Sequence, residues 1–178
     1  MNISKQKLPP WSEVQIVFGL LVFAVFSWSI RGFLYKLSAF LLYDSLGDIF
    51  GIFSYMMGIA LLESAIIMAA FLLLAVIFPK SWFRDGFVYK AALLALVVGG
   101  AMIYLQSILT FRFPSVPTLV AFLVIPLAVW LALIFLTMKI KRFRVLLDFF
   151  LDRVSVFLYI YVPLGIVGLV VMVVRNLF

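Results

Sequence analysis

The chain contains no cysteine and no histidine among its 178 residues. Without cysteine there is no disulfide, no thiolate nucleophile and no Cys-ligated zinc or iron–sulfur centre. Without histidine no imidazole can ligate haem, act as a general base or titrate near neutrality. Charge is scarce too: charged residues make up 12%, with 14 Lys+Arg against 7 Asp+Glu, a net charge of +7. The sequence also lacks a phosphate-binding glycine loop, a nucleophile elbow, a dinucleotide fingerprint and any cluster with metal-ligand spacing. No cofactor and no metal are expected, and an enzyme is the less favoured class.

What is present is apolar. Hydrophobic residues make up 67% of the chain and aromatics 17%, and the mean hydropathy is +1.30. Soluble domains are only about 45–50% apolar and about 25% charged. The fold class is therefore an all-α integral membrane protein, a single membrane-embedded helical domain over 1–178. In a soluble protein a charge of +7 would suggest nucleic acid. Here the basic residues flank apolar runs, so the expected partners are anionic lipid headgroups and other membrane proteins or a second copy, and no nucleic acid.

Apolar runs and breakers predict five transmembrane helices at about 14–30, 51–78, 90–109, 117–138 and 154–174, with one or two interfacial amphipathic helices. Pro9 and Pro10 delay the first helix, and Ser12 is a plausible N-cap. A basic start, an apolar run and Ser27-Trp28-Ser29 also fit a signal peptide, although the run is long for one. The segment 31–50 is broken by Arg31, Lys36, Asp44 and Asp48 and reads as interfacial or re-entrant, with Asp44 or Ser45 capping the next helix. Pro79 to Tyr89 reads as a loop turning at Asp85-Gly86.

Five spans put the termini on opposite sides. On the N-terminal side fall Lys5, Lys7, Lys80, Arg84, Lys90, Lys139, Lys141, Arg142, Arg144 and Arg153, ten basic residues against four (Arg31, Lys36, Arg112, Arg175) on the other. The positive-inside rule then places the N-terminus in the cytoplasm and the C-terminus outside. The expected setting is the inner or plasma membrane of a prokaryote.

The second span, GIFSYMMGIALLESAIIMAAFLLLAVIF, carries one charge, Glu63, near its middle. A carboxyl at that depth is expensive and is expected to face protein or a wet cavity. At 100° per residue Gly47, Gly51, Ser54, Gly58, Ala65 and Ala69 share one side of this helix, a small-residue seam for close packing or a homodimer. Glu63 lies well away from the seam, which predicts two neighbours and a central place for the helix. In the third span Ala95 and Gly99 share a face with Gln106. If the two spans are level, Gln106 can donate a hydrogen bond to Glu63, with Ser64 and Ser107 as further intramembrane polar candidates.

Pro126 and Pro163 sit inside the fourth and fifth spans and predict kinks, each removing one backbone hydrogen bond. Tyr159 and Tyr161 with Gly165 and Gly168 would line a lipid or quinone groove. KIKRFRVLLDFFLDR predicts a short amphipathic helix at about 140–152 in the inner interface, with Lys139, Lys141, Arg142 and Arg144 meeting anionic headgroups on the cytoplasmic side.

Three functions remain open at this level. The first is a structural or accessory membrane protein packing against protein partners or lipids. The second is an oligomeric transporter or channel with Glu63 and Gln106 in its pathway. The third is a lipid-modifying membrane enzyme. In span count and aromatic, polar-poor helices the chain is similar to the five-span region preceding the catalytic domain of sulfatase-like phosphoglycerol transferases. That resemblance extends to no motif and implies no residue roles.

Overall fold

In a computed structural model the chain is a bundle of α-helices, with no strand among the described residues. The structure describes residues 8–109 and 115–177, without the side chains of Ser81 and of 107–109. Five helices are long and apolar enough to cross a membrane. They are α1 (Trp11–Tyr43), α2 (Leu46–Ile77), α3 (Phe87–Leu109), α4 (Val116–Lys139) and α6 (Leu158–Leu177), with the shorter α5 (Lys141–Ser155) between the last two.

The segment 31–50 departs from expectation. It is not a separate or re-entrant helix: α1 runs unbroken for 33 residues to Tyr43, about 50 Å. Arg31 and Lys36 interrupt the apolar run without interrupting the helix, because both lie on its exposed side. No proline in 31–43 removes a backbone donor, and Gly32 keeps a helical conformation, so the backbone ladder continues. The real stop is Asp44, whose backbone is extended (φ −115°, ψ 151°) and whose N–H returns to the Phe40 carbonyl. Ser45 then caps α2: its Oγ accepts from the Asp48 N–H at 3.3 Å and its hydroxyl donates to Asp48 Oδ2 at 2.7 Å. Two long antiparallel helices therefore meet in a two-residue turn. At the other end α1 begins after Pro10, not Ser12, consistent with proline's preset φ.

The remaining connections are short. Beyond Pro79 a π-helical turn, Lys80–Arg84, leads to Asp85-Gly86. Gly86 has φ +72°, the left-handed conformation that favours glycine. It lets α3 start at Phe87, which is completely buried.

The central helix is α1, not α2. It packs against α2, α3, α5 and α6, whereas α4 packs on α3 and α5. Val14, Val17 and Leu21 of α1 meet Met68, Phe71 and Ala75 of α2 and Phe83, Phe87 and Ala91 near the start of α3. Leu20 meets Ala92 and Leu93 of α3 and Leu147, Leu151 and Val154 of α5. Farther along, Val22 and Phe26 pack on Met57 and Ala60 of α2. Phe26 stacks on Tyr161 of α6 at 5.0 Å between ring centroids. Trp130 ties α4 to α3, its Nε1–H donating to the Lys90 carbonyl at 2.9 Å.

Candidate functional site

The polar residues singled out in the spans separate rather than converge. Glu63 lies on the outer side of α2, exposed, with Leu62, Ile66, Ala69, Ala70 and Leu73 exposed around it. Its depth follows from the α1–α2 register. Ala60 packs with Val22 and Phe26, and Met68 packs with Val17 and Leu21. Glu63 is thus level with Leu21–Val22, roughly 15 Å along α1 from Trp11 and within a turn of Leu20, which packs on α5. Among the described residues it makes no hydrogen bond or ion pair. The expected second neighbour on this side of α2 is not part of the chain's described fold.

Gln106 does not meet it. Gln106 lines a cleft between α1 and α3 with Arg31 and Tyr35, so it is level with the outer part of α1 and about 15 Å from the level of Glu63. The reason is helix stagger: α3 runs parallel to α1 with Phe87 beside Val14 and Val17, which carries Gln106 past the level of Glu63. Ser64 is completely buried, but its hydroxyl donates to the Ala60 carbonyl one turn back at 2.7 Å. It satisfies itself within α2 and offers nothing to Glu63. The Ser107 side chain lies outside the described residues. Among the described residues no three acidic groups gather to hold a metal ion.

Part of the small-residue seam is a close helix contact inside the chain. Gly51 and Gly58 are buried on the side of α2 that α6 covers, Gly58 against Gly168, with Ser54 half-buried between them. A Cβ on Gly58 would lie 3.0 Å from the Leu169 amide nitrogen, and one on Gly168 would lie 2.7 Å from the Gly58 nitrogen. A Cβ on Gly165 would meet Leu61 and Phe26 at 2.8 and 2.9 Å. The expected groove at Gly165 and Gly168 is therefore filled by α2 and α1. A Cβ on Gly51 would strike the Arg175 guanidinium, which reaches across to Asp48 at 2.8 Å.

The seam does not run the length of α2. Gly47, Ala65 and Ala69 are exposed. Where α2 passes the start of α6, its buried side shifts to Ser64, Met68, Phe71 and Ala75, which face α1 and α3. On α3, Ala95 is half-buried, whereas Gly99 is exposed with nothing within 4 Å of an added Cβ. Pro126 is half-buried in α4 and Pro163 exposed in α6, and neither ends its helix.

The amphipathic helix appears as α5, Lys141–Ser155. Leu147, Leu151 and Val154 are buried against α1 and α3, while Lys141, Arg142 and Arg144 are exposed. Lys139, at the end of α4, stands over Phe135 at 5.7 Å. The Arg144 guanidinium lies over the Tyr89 ring at 4.6 Å. The basic row thus starts from side chains braced on aromatic faces.

One feature was missed by sequence reasoning. A cavity of about 580 Å³ opens between α1 and α3, lined by Trp28, Arg31, Tyr35, Lys36, Ile103 and Gln106. The α1 residues fall at positions i, i+3, i+7 and i+8, one helical face. That pattern is visible only when 31–43 is read as a continuation of the first span.

Comparison with protein-family models, curated proteins and solved structures finds no match to this chain.

Proposed function

We propose that this chain is a non-enzymatic, membrane-embedded accessory subunit that docks another membrane protein along α2, with Glu63 as the polar contact. The observation carrying this reading is the exposure of Glu63 on an apolar side of α2 that no other helix covers. An acidic residue at the centre of a membrane helix costs about 2.5–3.5 kcal/mol by insertion scales, and more on an isolated helix. A second helix that covers the carboxyl and donates a hydrogen bond to it removes much of that cost. The surrounding surface suits this: Ala65, Ala69 and Ala70 are exposed beside Glu63, and small residues let helices approach closely.

The accessory reading is favoured over the oligomeric pathway because Glu63 and Gln106 stand at different levels of the bundle, with Gln106 on the cleft between α1 and α3. The orientation that fits this role keeps the basic α5 on the cytoplasmic side, where anionic lipid holds it, and the α1–α2 turn outside.

A photo-crosslinking residue at Ile66 tests the docking in the native membrane. The expected result is a discrete adduct with one membrane protein, with Leu123 on exposed α4 as the uncrosslinked control. An adduct heavier by the chain's own 20.2 kDa would point to a homodimer instead. Lipid adducts alone would refute the docking role.

A further inference from the structure

We propose that the cleft between α1 and α3 binds the phosphate headgroup of an anionic lipid, in the leaflet on the side of the α1–α2 turn. The site stands on its own residues and holds whether or not α2 carries a protein partner. Its volume, about 580 Å³, lies within the roughly 300–1,000 Å³ of small-ligand sites. Arg31 and Lys36 supply two positive charges and Gln106 an amide on the facing helix. Among the described residues neither cation is paired with a carboxylate. The acidic residues of this end are placed elsewhere: Asp48 is engaged by Arg175 and Ser45, and Asp44 lies at the α1–α2 turn. An anion therefore meets attraction without competition.

Position selects a lipid over a soluble anion. Arg31 is twenty residues beyond Trp11 on a continuous helix long and apolar enough to cross a membrane, so the cleft lies along a membrane-facing helix. The guanidinium is held over the Trp28 ring, 5.2 Å from its centroid. Trp28 and Ile103 line the cleft on its deeper side, with Tyr35 and Lys36 a turn farther out. Apolar wall below and cations above match the order of acyl chain and phosphate in a lipid. Arg also presents the planar fork that suits phosphate oxygens.

The test uses the full chain in phosphatidylcholine nanodiscs, titrated with phosphatidylglycerol carrying brominated acyl chains, with tryptophan quenching as the readout. Saturable quenching is expected. It should weaken about thirtyfold in the double variant Arg31→Gln, Lys36→Gln, and persist in Lys141→Gln, Arg142→Gln, which changes only α5. Gly32→Leu gives an independent arm. Gly32 lines the cleft and an added Cβ meets nothing within 4 Å, so the isobutyl group fills space without removing charge or adding a fluorophore and should abolish saturation. Inorganic phosphate at millimolar concentration should not compete. Unchanged saturable binding in both the double variant and Gly32→Leu overturns the proposal. Competition by inorganic phosphate overturns the assignment to lipid and makes the ligand a soluble phosphate.

Discussion

Gly168 of α6 lies against the backbone of Gly58 in α2, so close that a methyl group on Gly168 would come within 2.7 Å of the Gly58 nitrogen. This contact sets where the last helix sits. It draws the end of α6 toward the start of α2, where Arg175 meets Asp48 at 2.8 Å. It also commits one side of α2 to the chain itself, leaving the side that carries Glu63 uncovered.

Gly168→Leu should therefore unpack α6 from α2. Overpacking costs about 1–3 kcal/mol when a core can adjust, and here the opposing atoms are backbone, which adjusts least. A thermal melt in mild detergent should fall by several degrees, with a matching fall for Gly58→Leu. Gly99→Leu, at an open site on α3, should melt like the parent protein.

Trp130→Phe keeps the ring and removes the donor that reaches the Lys90 carbonyl. A typical hydrogen bond contributes about 0.5–1.5 kcal/mol. The loss should appear as a modest drop in melting temperature, together with faster amide exchange in α4. The indole also borders two of the core clusters, so Trp130→Ala should cost considerably more.

Because the chain has no cysteine, single introduced thiols report its orientation without background. Ser115→Cys, at the exposed start of α4, and Ser45→Cys, at the α1–α2 turn, should react with an impermeant maleimide added outside intact cells. Asp85→Cys, exposed between α2 and α3, should react only after the membrane is opened. The reverse pattern would invert the proposed topology.

The five spans were legible because each is a long apolar run, and the amphipathic α5 because its basic and apolar residues alternate with helical period. Two kinds of information were not. Arg31 and Lys36 set 31–50 apart from the first apolar run, although exposed charges leave the backbone ladder intact. The true stop, Asp44-Ser45, was visible only as a cap. Relative depth was the second. One sequence places Glu63 near the middle of α2 and Gln106 within the third span, but the stagger of α3 along α1 depends on packing around Phe87 and Ala91. The same holds for Ala65 and Ala69: angular position on α2 put them with Gly58, but α6 covers only the outer part of that side. The Trp28–Lys36 face required both facts and so was not seen.

The most direct measurement is the size of the assembly extracted from native membranes in mild detergent, compared for the parent chain, Glu63→Gln and Glu63→Leu. If a partner helix binds Glu63 by a hydrogen bond, the parent and Glu63→Gln should run as the same complex. Glu63→Leu should run as a free chain of 20.2 kDa plus detergent, with an unchanged melting temperature. A parent protein that already runs as a free chain, or a Glu63→Leu complex indistinguishable from the parent's, would contradict the role assigned to Glu63.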